Sequence, residues 1–269
     1  MTMLSEMVAA TRRRMAECRS RTDVGELERQ ACRHAPRGFR RALGAAAATG
    51  VGVIAELKKA SPSRGVLRAE FDCARLARDF ETGGACALSI LTNREYFQGS
   101  LENLRTASAA GQLPCLRKDF IVDEFQLLEA RANSADAVLL IARALADEDL
   151  PRLFRRAKEL ELDVLCEVHD QRELERALAV GCDLVGVNSR NLETFDVNLD
   201  TALQLAPRIP GDVLAVAESG IESGADIARL REAGYRGFLI GELLMRAEAP
   251  GMAVAALLTE AAAVGSALS

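Results

Sequence analysis

Carboxylates, amides and ammoniums recur in this chain at the ends of short apolar runs, at spacings that group them on one face. The first run is Val53-Ile54-Ala55-Glu56-Leu57-Lys58. Residues two apart in a strand point the same way, so Glu56 and Lys58 leave one face together. Ser61-Pro62-Ser63 then stops the strand, because Pro62 has no N–H to donate and biases Ser61 toward extended backbone. The pattern returns at Lys118 and Asp119, at Glu167 and His169, at Asn188 and Arg190, and at Glu218 and Ser219. Gathered in one place, Glu56, Lys58, Lys118, Glu167, Asn188 and Glu218 would shift one another's pKa values apart and divide into proton donors and acceptors. The plainer alternatives are an ion pair at a frayed strand end and a ring of satisfied ion pairs that merely closes a barrel.

The elements that must position these groups follow from periodicity. Residues 3–18 and 24–34 read as amphipathic helices, and 39–48 as an alanine-rich helix ending at Thr49-Gly50. Strands are expected at 53–57, 85–91, 114–117, 137–141, 163–168, 184–188, 213–217 and 238–240. Helices are expected between and after them, at 73–81, 101–110, 124–133, 146–161, 172–179, 199–206, 223–233 and 252–263. Gly84, Gly181 and Gly234 stand where a helix turns into the next strand. Eight strand–helix units predict an α/β fold, a (β/α)8 TIM barrel, with chemistry on the loops after the strands. A doubly wound open sheet is the rival, but the turn from Lys58 to Ser63 lacks its glycine-rich first loop. The chain is expected to be one barrel domain over 1–269, with 1–50 as an N-terminal helical extension.

If the strands form a barrel, the period of two turns Leu116, Leu165 and Val216 inward behind Lys118, Glu167 and Glu218, and turns Cys115 and Cys166 outward toward the helices. Two glycine-bearing turns, Glu218-Ser219-Gly220-Ile221 and Gly241-Glu242-Leu243-Leu244-Met245, then follow the seventh and eighth strands. Barrels frequently hold phosphate there on backbone N–H groups, which favours a phosphorylated small molecule over an ordinary pair of tight turns.

Composition narrows the partners. The 269 residues are 49% hydrophobic with a formal net charge of -5, which argues against a nucleic-acid footprint. Arg12-Arg13-Arg14 is most simply a solvated helix face. The N-terminal residues lack an apolar core before their charges, and the longest apolar stretch, 135–146, contains Asp136 and Arg143 and is too short to span a bilayer. Seven cysteines form no C-x-x-C pair and read as free thiols of a reducing cytoplasm. His34 and His169 stand far apart with no cysteine cluster beside them, so no metal is expected.

The run Val53-Ile54-Ala55-Glu56-Leu57-Lys58-Lys59-Ala60-Ser61-Pro62-Ser63 resembles the signature of the indole-3-glycerol phosphate synthase family. In order along the chain, Ser89-Ile90-Leu91-Thr92, Tyr96-Phe97-Gln98-Gly99-Ser100, Leu116-Arg117-Lys118-Asp119-Phe120-Ile121, Glu167-Val168-His169, Gly186-Val187-Asn188-Ser189-Arg190-Asn191-Leu192, Ala217-Glu218-Ser219-Gly220-Ile221 and Leu239-Ile240-Gly241 carry the same likeness. The resemblance implies ring closure of a carboxyphenylamino-deoxyribulose phosphate, with release of carbon dioxide and water and no cofactor. It makes Lys118 the general acid toward the substrate carbonyl. Lys58 matches a lysine that pairs with the anthranilate carboxylate and is an acid candidate in dehydration, and Glu167 and Glu56 match proton-handling carboxylates. The division of individual proton transfers among them stays open.

By the same resemblance Asn188 is a hydrogen-bonding group, and Arg190 and Glu218 line the site. Ser61, Ser219, Gly220, Gly241 and Glu242 match the phosphate cradle, and Phe97, Phe120, Leu139 and Leu192 match apolar walls around the aromatic ring. Many relatives carry small hydroxyl residues where this chain has Glu242 and Leu243. A carboxylate beside a phosphate repels it, so backbone N–H groups are expected to bind the phosphate while Glu242 turns away. The partner set is a phosphorylated small molecule with no nucleic acid and no membrane, and a monomer is expected, association with other tryptophan-pathway enzymes being left open. Two rivals stand beside this reading: a Schiff-base aldolase using a desolvated lysine, and a barrel kept as an anion-binding or assembly module.

Overall fold

Every apolar run between Gly52 and Ile240 is divided between two environments, one residue facing a central axis and the next facing a shell of helices. The computed structural model describes residues 2–191 and 193–267. Its principal strands are β1 (Gly52–Leu57), β2 (Ala87–Leu91), β3 (Cys115–Lys118), β4 (Ala137–Ile141), β5 (Asp163–Val168), β6 (Leu184–Asn188), β7 (Leu214–Glu218) and β8 (Gly237–Ile240). All neighbours are parallel and β8 pairs back onto β1, with Gly52 beside Gly237 and Ala55 beside Ile240, which closes an eight-stranded barrel. Helices alternate with the strands, and the last element among the described residues is the helix Pro250–Ala267. The expected (β/α)8 architecture is therefore the one observed, and the open-sheet rival is excluded by closure.

The alternation decides which side chains meet. Ile54, Ala87, Leu116, Leu139, Leu165, Leu184, Val216 and Leu239 fill the barrel interior. Val53, Ala55, Ile90, Cys115, Val138, Cys166, Val187, Ala217 and Phe238 pack outward against the helices. Truncating one of the buried leucines to alanine costs about 2–5 kcal/mol, because a close-packed interior does not collapse around the lost volume. Cys115 and Cys166 face outward as expected, and all the cysteines are free. At Gly181 and Gly234 the backbone adopts φ of 82° and 116°, a region that favours glycine.

The helices before β1 cap both ends of the barrel. Phe39 and Leu43, on the helix Phe39–Thr49, are fully buried among the inner-face residues and plug the amino-terminal end. Gly52 and Gly237 make room for that plug, since a Cβ at Gly237 would lie 2.9 Å from Leu43 Cδ2. Just before that helix, Asp136 accepts from Arg37 Nη2 at 2.7 Å, from the Arg37 N–H at 2.6 Å and from the Cys115 N–H at 2.6 Å, with His34 Nε2 at 3.0 Å. The first helix, Met3–Arg21, reaches the opposite end, where Leu4 and Met7 join the inner apolar group. Its arginine run is not wholly solvated: Arg14 Nη2 lies 3.6 Å from the buried carboxylate of Asp119.

Several short elements lie outside the expected pattern. A two-residue hairpin pairs Ala60–Ser61 with Gly65–Val66 after β1, and short helices Arg94–Phe97 and Glu242–Arg246 follow β2 and β8. Elements of two to five residues complete too little of a period to show in the sequence. The helix expected at 146–161 begins at Asp149, after a 3-10 turn at Ala142–Ala144.

Candidate active site

The carboxyl ends of the strands open into one cavity of about 780 Å³. Glu56 and Lys58 reach it from β1 and the residue following it, Lys118 from β3, Leu139 from β4, Glu167 from β5, Asn188 from β6 and Glu218 from β7. Glu56, Lys118, Glu167 and Glu218 each lie two residues beyond an inward apolar residue, so these charges stand above a floor of Ile54, Leu116, Leu165 and Val216. A charge placed there is desolvated, which strengthens every pairwise interaction and penalises any ion left without a partner.

Lys118 is the hub. Its Nζ lies 2.9 Å from Glu167 Oε2 and 3.1 Å from Glu218 Oε2. Burial pulls the ammonium toward losing its proton, but the charges of Glu167, Glu218 and Glu56 outweigh burial and raise its pKa above the ordinary lysine value. The two carboxylates beside it are driven apart. Burial pushes Glu218 up to about 7, with Lys118 opposing the rise and Glu167 adding to it. Burial acts the same way on Glu167, yet Lys118, His169 and the Asn188 amide together hold it below the usual glutamate value. One ammonium thus stands between a firm anion and an acid that titrates near neutrality, a combination suited to giving a proton and taking one back.

The second pair is local: the Lys58 ammonium donates to the Glu56 carboxylate, with Glu56 only 4% exposed. Asn188 is oriented through its Oδ1, which accepts the Arg190 N–H at 3.0 Å. Gly186, two residues earlier on the same face of β6, leaves the space that the Glu218 carboxylate occupies.

At one side of the cavity lie the turns after β7 and β8. Ser219 and Gly220 have φ of 65° and 79°, so two successive residues in the left-handed region shape the loop. Ser61, Ser219, Gly220, Gly241 and Glu242 all line this part of the cavity. Glu242 does not turn away from it. Its carboxylate is surrounded by Arg64 at 3.2 Å, Arg246 at 3.2 Å and Arg190 at 3.7 Å, so the local charge is net positive despite the acid. The apolar residues Phe97 and Phe120 form another wall, their ring centroids 6.4 Å apart.

Fifteen of the sixteen residues singled out from the sequence therefore line the same cavity, and the remaining one, Leu192, lies outside the described residues. Sequence reasoning missed Leu4 and Met7, which come from the first helix, and Arg64, Asn93, Phe195, Val197 and Arg246. Arg246 carried a signal, since it directly follows the turn Gly241-Glu242-Leu243-Leu244-Met245 already marked as anion-binding, and Arg64 lies three residues beyond Ser61, which the resemblance assigned to the phosphate cradle. Leu4 and Met7 carried only helical periodicity, which does not say which end of a barrel a helix covers.

A closed parallel barrel whose carboxyl-end mouth holds an ammonium between two unequal acids, beside glycine-bearing turns, defines an acid–base (β/α)8 barrel. The model of the family "Indole-3-glycerol phosphate synthase" matches residues 4–257. The protein of that name from Koribacter versatilis (strain Ellin345) is 56% identical over 247 residues, covering 92% of this chain and 95% of that protein. The one from Polaromonas sp. (strain JS666 / ATCC BAA-500) is 48% identical over 257 residues, covering 95% and 97%. The chain belongs to the indole-3-glycerol phosphate synthase family. Among solved structures, a thiamine phosphate pyrophosphorylase from Pyrococcus furiosus aligns with a TM-score of 0.60 at 18% identity over 80% of this chain and 96% of that one. A cube-shaped protein cage designed by fusing symmetric oligomeric domains aligns with a TM-score of 0.61 at 16% identity over 81% and 74%. At such identities these two describe the barrel fold alone.

Proposed function

We propose that this chain converts 1-(2-carboxyphenylamino)-1-deoxyribulose 5-phosphate to indole-3-glycerol phosphate, carbon dioxide and water, a carboxy-lyase step of tryptophan biosynthesis. The observation that carries the reading is the position of Lys118 Nζ, 2.9 Å from Glu167 and 3.1 Å from Glu218, within a cavity that has apolar walls at one side and the β7 and β8 turns at another.

The chemistry starts with attack of the ring carbon that bears the carboxylate on the substrate ketone. A carbon–carbon bond forms, the carbonyl electron pair moves to oxygen, and that oxygen takes a proton from the Lys118 ammonium. Attack costs aromaticity, so the site must hold the two carbons in contact and neutralise the developing alkoxide at once. Loss of carbon dioxide returns an electron pair to the ring. The new hydroxyl then leaves as water on taking a proton, and a proton departs from the carbon beside nitrogen to a carboxylate. Lys58 is the acid candidate for the leaving hydroxyl, and Glu167, Glu218 and Glu56 are the carboxylates able to accept or return protons. Asn188 orients the site, Phe97, Phe120 and Leu139 hold the aromatic ring, and Ser61, Ser219, Gly220 and Gly241 cradle the phosphate. Arg190, with Arg64 and Arg246, offsets the charge of Glu242 beside that phosphate.

The test is direct. Purified chain mixed with the substrate is expected to show growing indole fluorescence with release of carbon dioxide; folded protein that forms no product ends the reading. The aldolase rival requires a free amine, whereas Lys118 is held as an ammonium between two carboxylates, so borohydride with a sugar phosphate is expected to trap no adduct. We place the enzyme in the cytoplasm on its free thiols, and read it as a monomer because one chain supplies every group of the site. Among the described residues no helix is long and apolar enough to cross a membrane.

A further inference from the structure

One buried titratable side chain beside the cavity has no part in the chemistry above. His169 follows β5 and its side chain is 5% exposed. Its Nδ1 lies 3.1 Å from Glu173 Oε2, and the same oxygen accepts the His169 backbone N–H at 2.8 Å. The other oxygen of Glu173 accepts from Arg143 Nε at 2.5 Å, and Arg143 also reaches Asp170 at 3.1 Å. On the far side of the ring, His169 Nε2 is 3.4 Å from Glu167 Oε1, while Glu167 Oε2 is the oxygen that Lys118 holds. Nε2 is fully buried and has no hydrogen-bond partner, so its approach to Glu167 Oε1 is a close contact and not a formed hydrogen bond. A continuous line therefore runs Arg143, Glu173, His169, Glu167, Lys118.

Counting donors decides what this line does. Oε1 of Glu173 accepts from the Arg143 guanidinium and Oε2 accepts the His169 backbone N–H, so both oxygens act as acceptors and the ring proton on Nδ1 points to Oε2. A neutral ring would then aim the Nε2 lone pair at a carboxylate oxygen of Glu167, two acceptors facing each other in a dry site. The contact becomes favourable only when one proton lies between them, on Nε2 or on Oε1. We propose that His169, fixed by Glu173 and Arg143, is a positioning residue for the proposed reaction: it keeps one proton against Glu167 Oε1, so that Oε2 stays turned to Lys118 and to the substrate. The proton that Glu167 takes up at Oε2 is balanced by the shared one moving onto Nε2, and the reverse movement accompanies its return. Glu167 lies below the usual glutamate value with His169 among the causes, after Lys118, which accords with this arrangement.

The inference rests on the proposed ring closure, and one assay separates the two: a parent chain with no turnover overturns the reaction, whereas an active parent with unaffected variants overturns only the role of His169. The variants are His169→Ala, His169→Gln and Glu173→Gln, each checked for folding by its melting transition. Expected is a kcat roughly 10- to 100-fold lower in His169→Ala with KM within about twofold, the range in which misplacing an active group acts. The ring faces Glu167 and Glu173, with Lys118, Arg143 and Asp170 behind them, so removing it takes a cation or proton donor from Glu167 and moves the acidic limb of the kcat profile to higher pH. Gln at 169 can still donate to Glu167 but carries no titrating proton, so it is expected to restore part of the rate and not the position of the limb. Turnover within twofold of the parent, or a loss confined to KM, overturns the role. If His169→Ala does not fold, Glu173→Gln decides by the same criteria. With two histidines in the chain, the ring ¹⁵N spectrum gives a second readout independent of turnover: Glu167→Gln is expected to shift the His169 Nε2 resonance and leave His34 in place, and an unmoved His169 signal refutes the contact.

Discussion

Gly186 on β6 stands so close to Glu218 on β7 that a Cβ built on the glycine would overlap the Glu218 carboxylate. The two strands pair with Gly186 beside Val216 and Asn188 beside Glu218, so the register leaves the acid leaning across the gap that the glycine provides. Its Oε2 is thereby set 3.1 Å from Lys118. Gly186→Ala is expected to leave the barrel folded while displacing Glu218, with kcat about 100-fold lower, the cost of moving a reacting group by an ångström. Steady-state rates beside the melting temperature check it; parental turnover would show that Glu218 needs no such space.

Lys118 and Lys58 are expected to differ in what their loss removes. Lys118→Ala takes away the proposed proton donor and the partner of two buried carboxylates, so kcat should fall by about 10³-fold or more. Lys58→Ala should lower kcat and also raise KM, because its proposed contact is with the substrate carboxylate. Separate kcat and KM values distinguish them, and a near-normal rate for Lys118→Ala would remove it as the acid.

Glu218 should make stability depend on pH in a defined sense. Burial raises its pKa in the folded chain to about 7, above the ordinary glutamate value of an unfolded chain, so between those values the folded state binds the extra proton. Its contribution is fully present below the unfolded value and is lost as pH rises through about 7. Relative to the parent, Glu218→Gln is therefore expected to gain melting temperature as pH goes from 5 to 8. A difference that is flat or runs the other way would contradict the raised value.

At the proposed phosphate side, Glu242 is held by Arg64, Arg190 and Arg246. Neutralising it in Glu242→Gln removes the one acid of that cluster, worth about 1 kcal/mol toward an anion at this partly exposed position. Inorganic phosphate should then inhibit roughly fivefold more strongly, whereas Arg190→Ala should weaken inhibition. Competitive inhibition constants measure both, and unchanged values would place the phosphate elsewhere.

Asp136 ties the segment before the plugging helix to the barrel through Arg37, His34 and the Cys115 N–H. Asp136→Ala takes the carboxylate from Arg37, whose guanidinium keeps only its bonds to Ser108 and Gly111, and leaves the buried Cys115 N–H without that acceptor, which costs about 3–5 kcal/mol. Urea unfolding reads this loss directly.

The strands and the acids at their ends were legible because a buried parallel strand announces itself as a short apolar run, and a charge two residues past an inward leucine shares its face. Leu116 before Lys118, Leu165 before Glu167 and Val216 before Glu218 are such cases, and the barrel uses all three. The short helix Arg94–Phe97 and the hairpin at Ala60 gave no such signal, being shorter than the period that would reveal them. The solvated reading of the arginine run failed at Arg14, because a charge pattern along one helix does not include the buried Asp119 that the helix meets.

The amino-acid order by itself determined the eight strand–helix repeats, the inward face of each strand, and hence the set of ionisable groups at one mouth. Only the tertiary structure decided how those groups divide: that Lys118 stands between Glu167 and Glu218, that His169 backs Glu167, and that three arginines surround Glu242. The reason is physical. Periodicity is a local property carried by each segment, whereas a pKa and an ion pair depend on distances and burial set by neighbours many residues away, and those exist only once the sheet has closed.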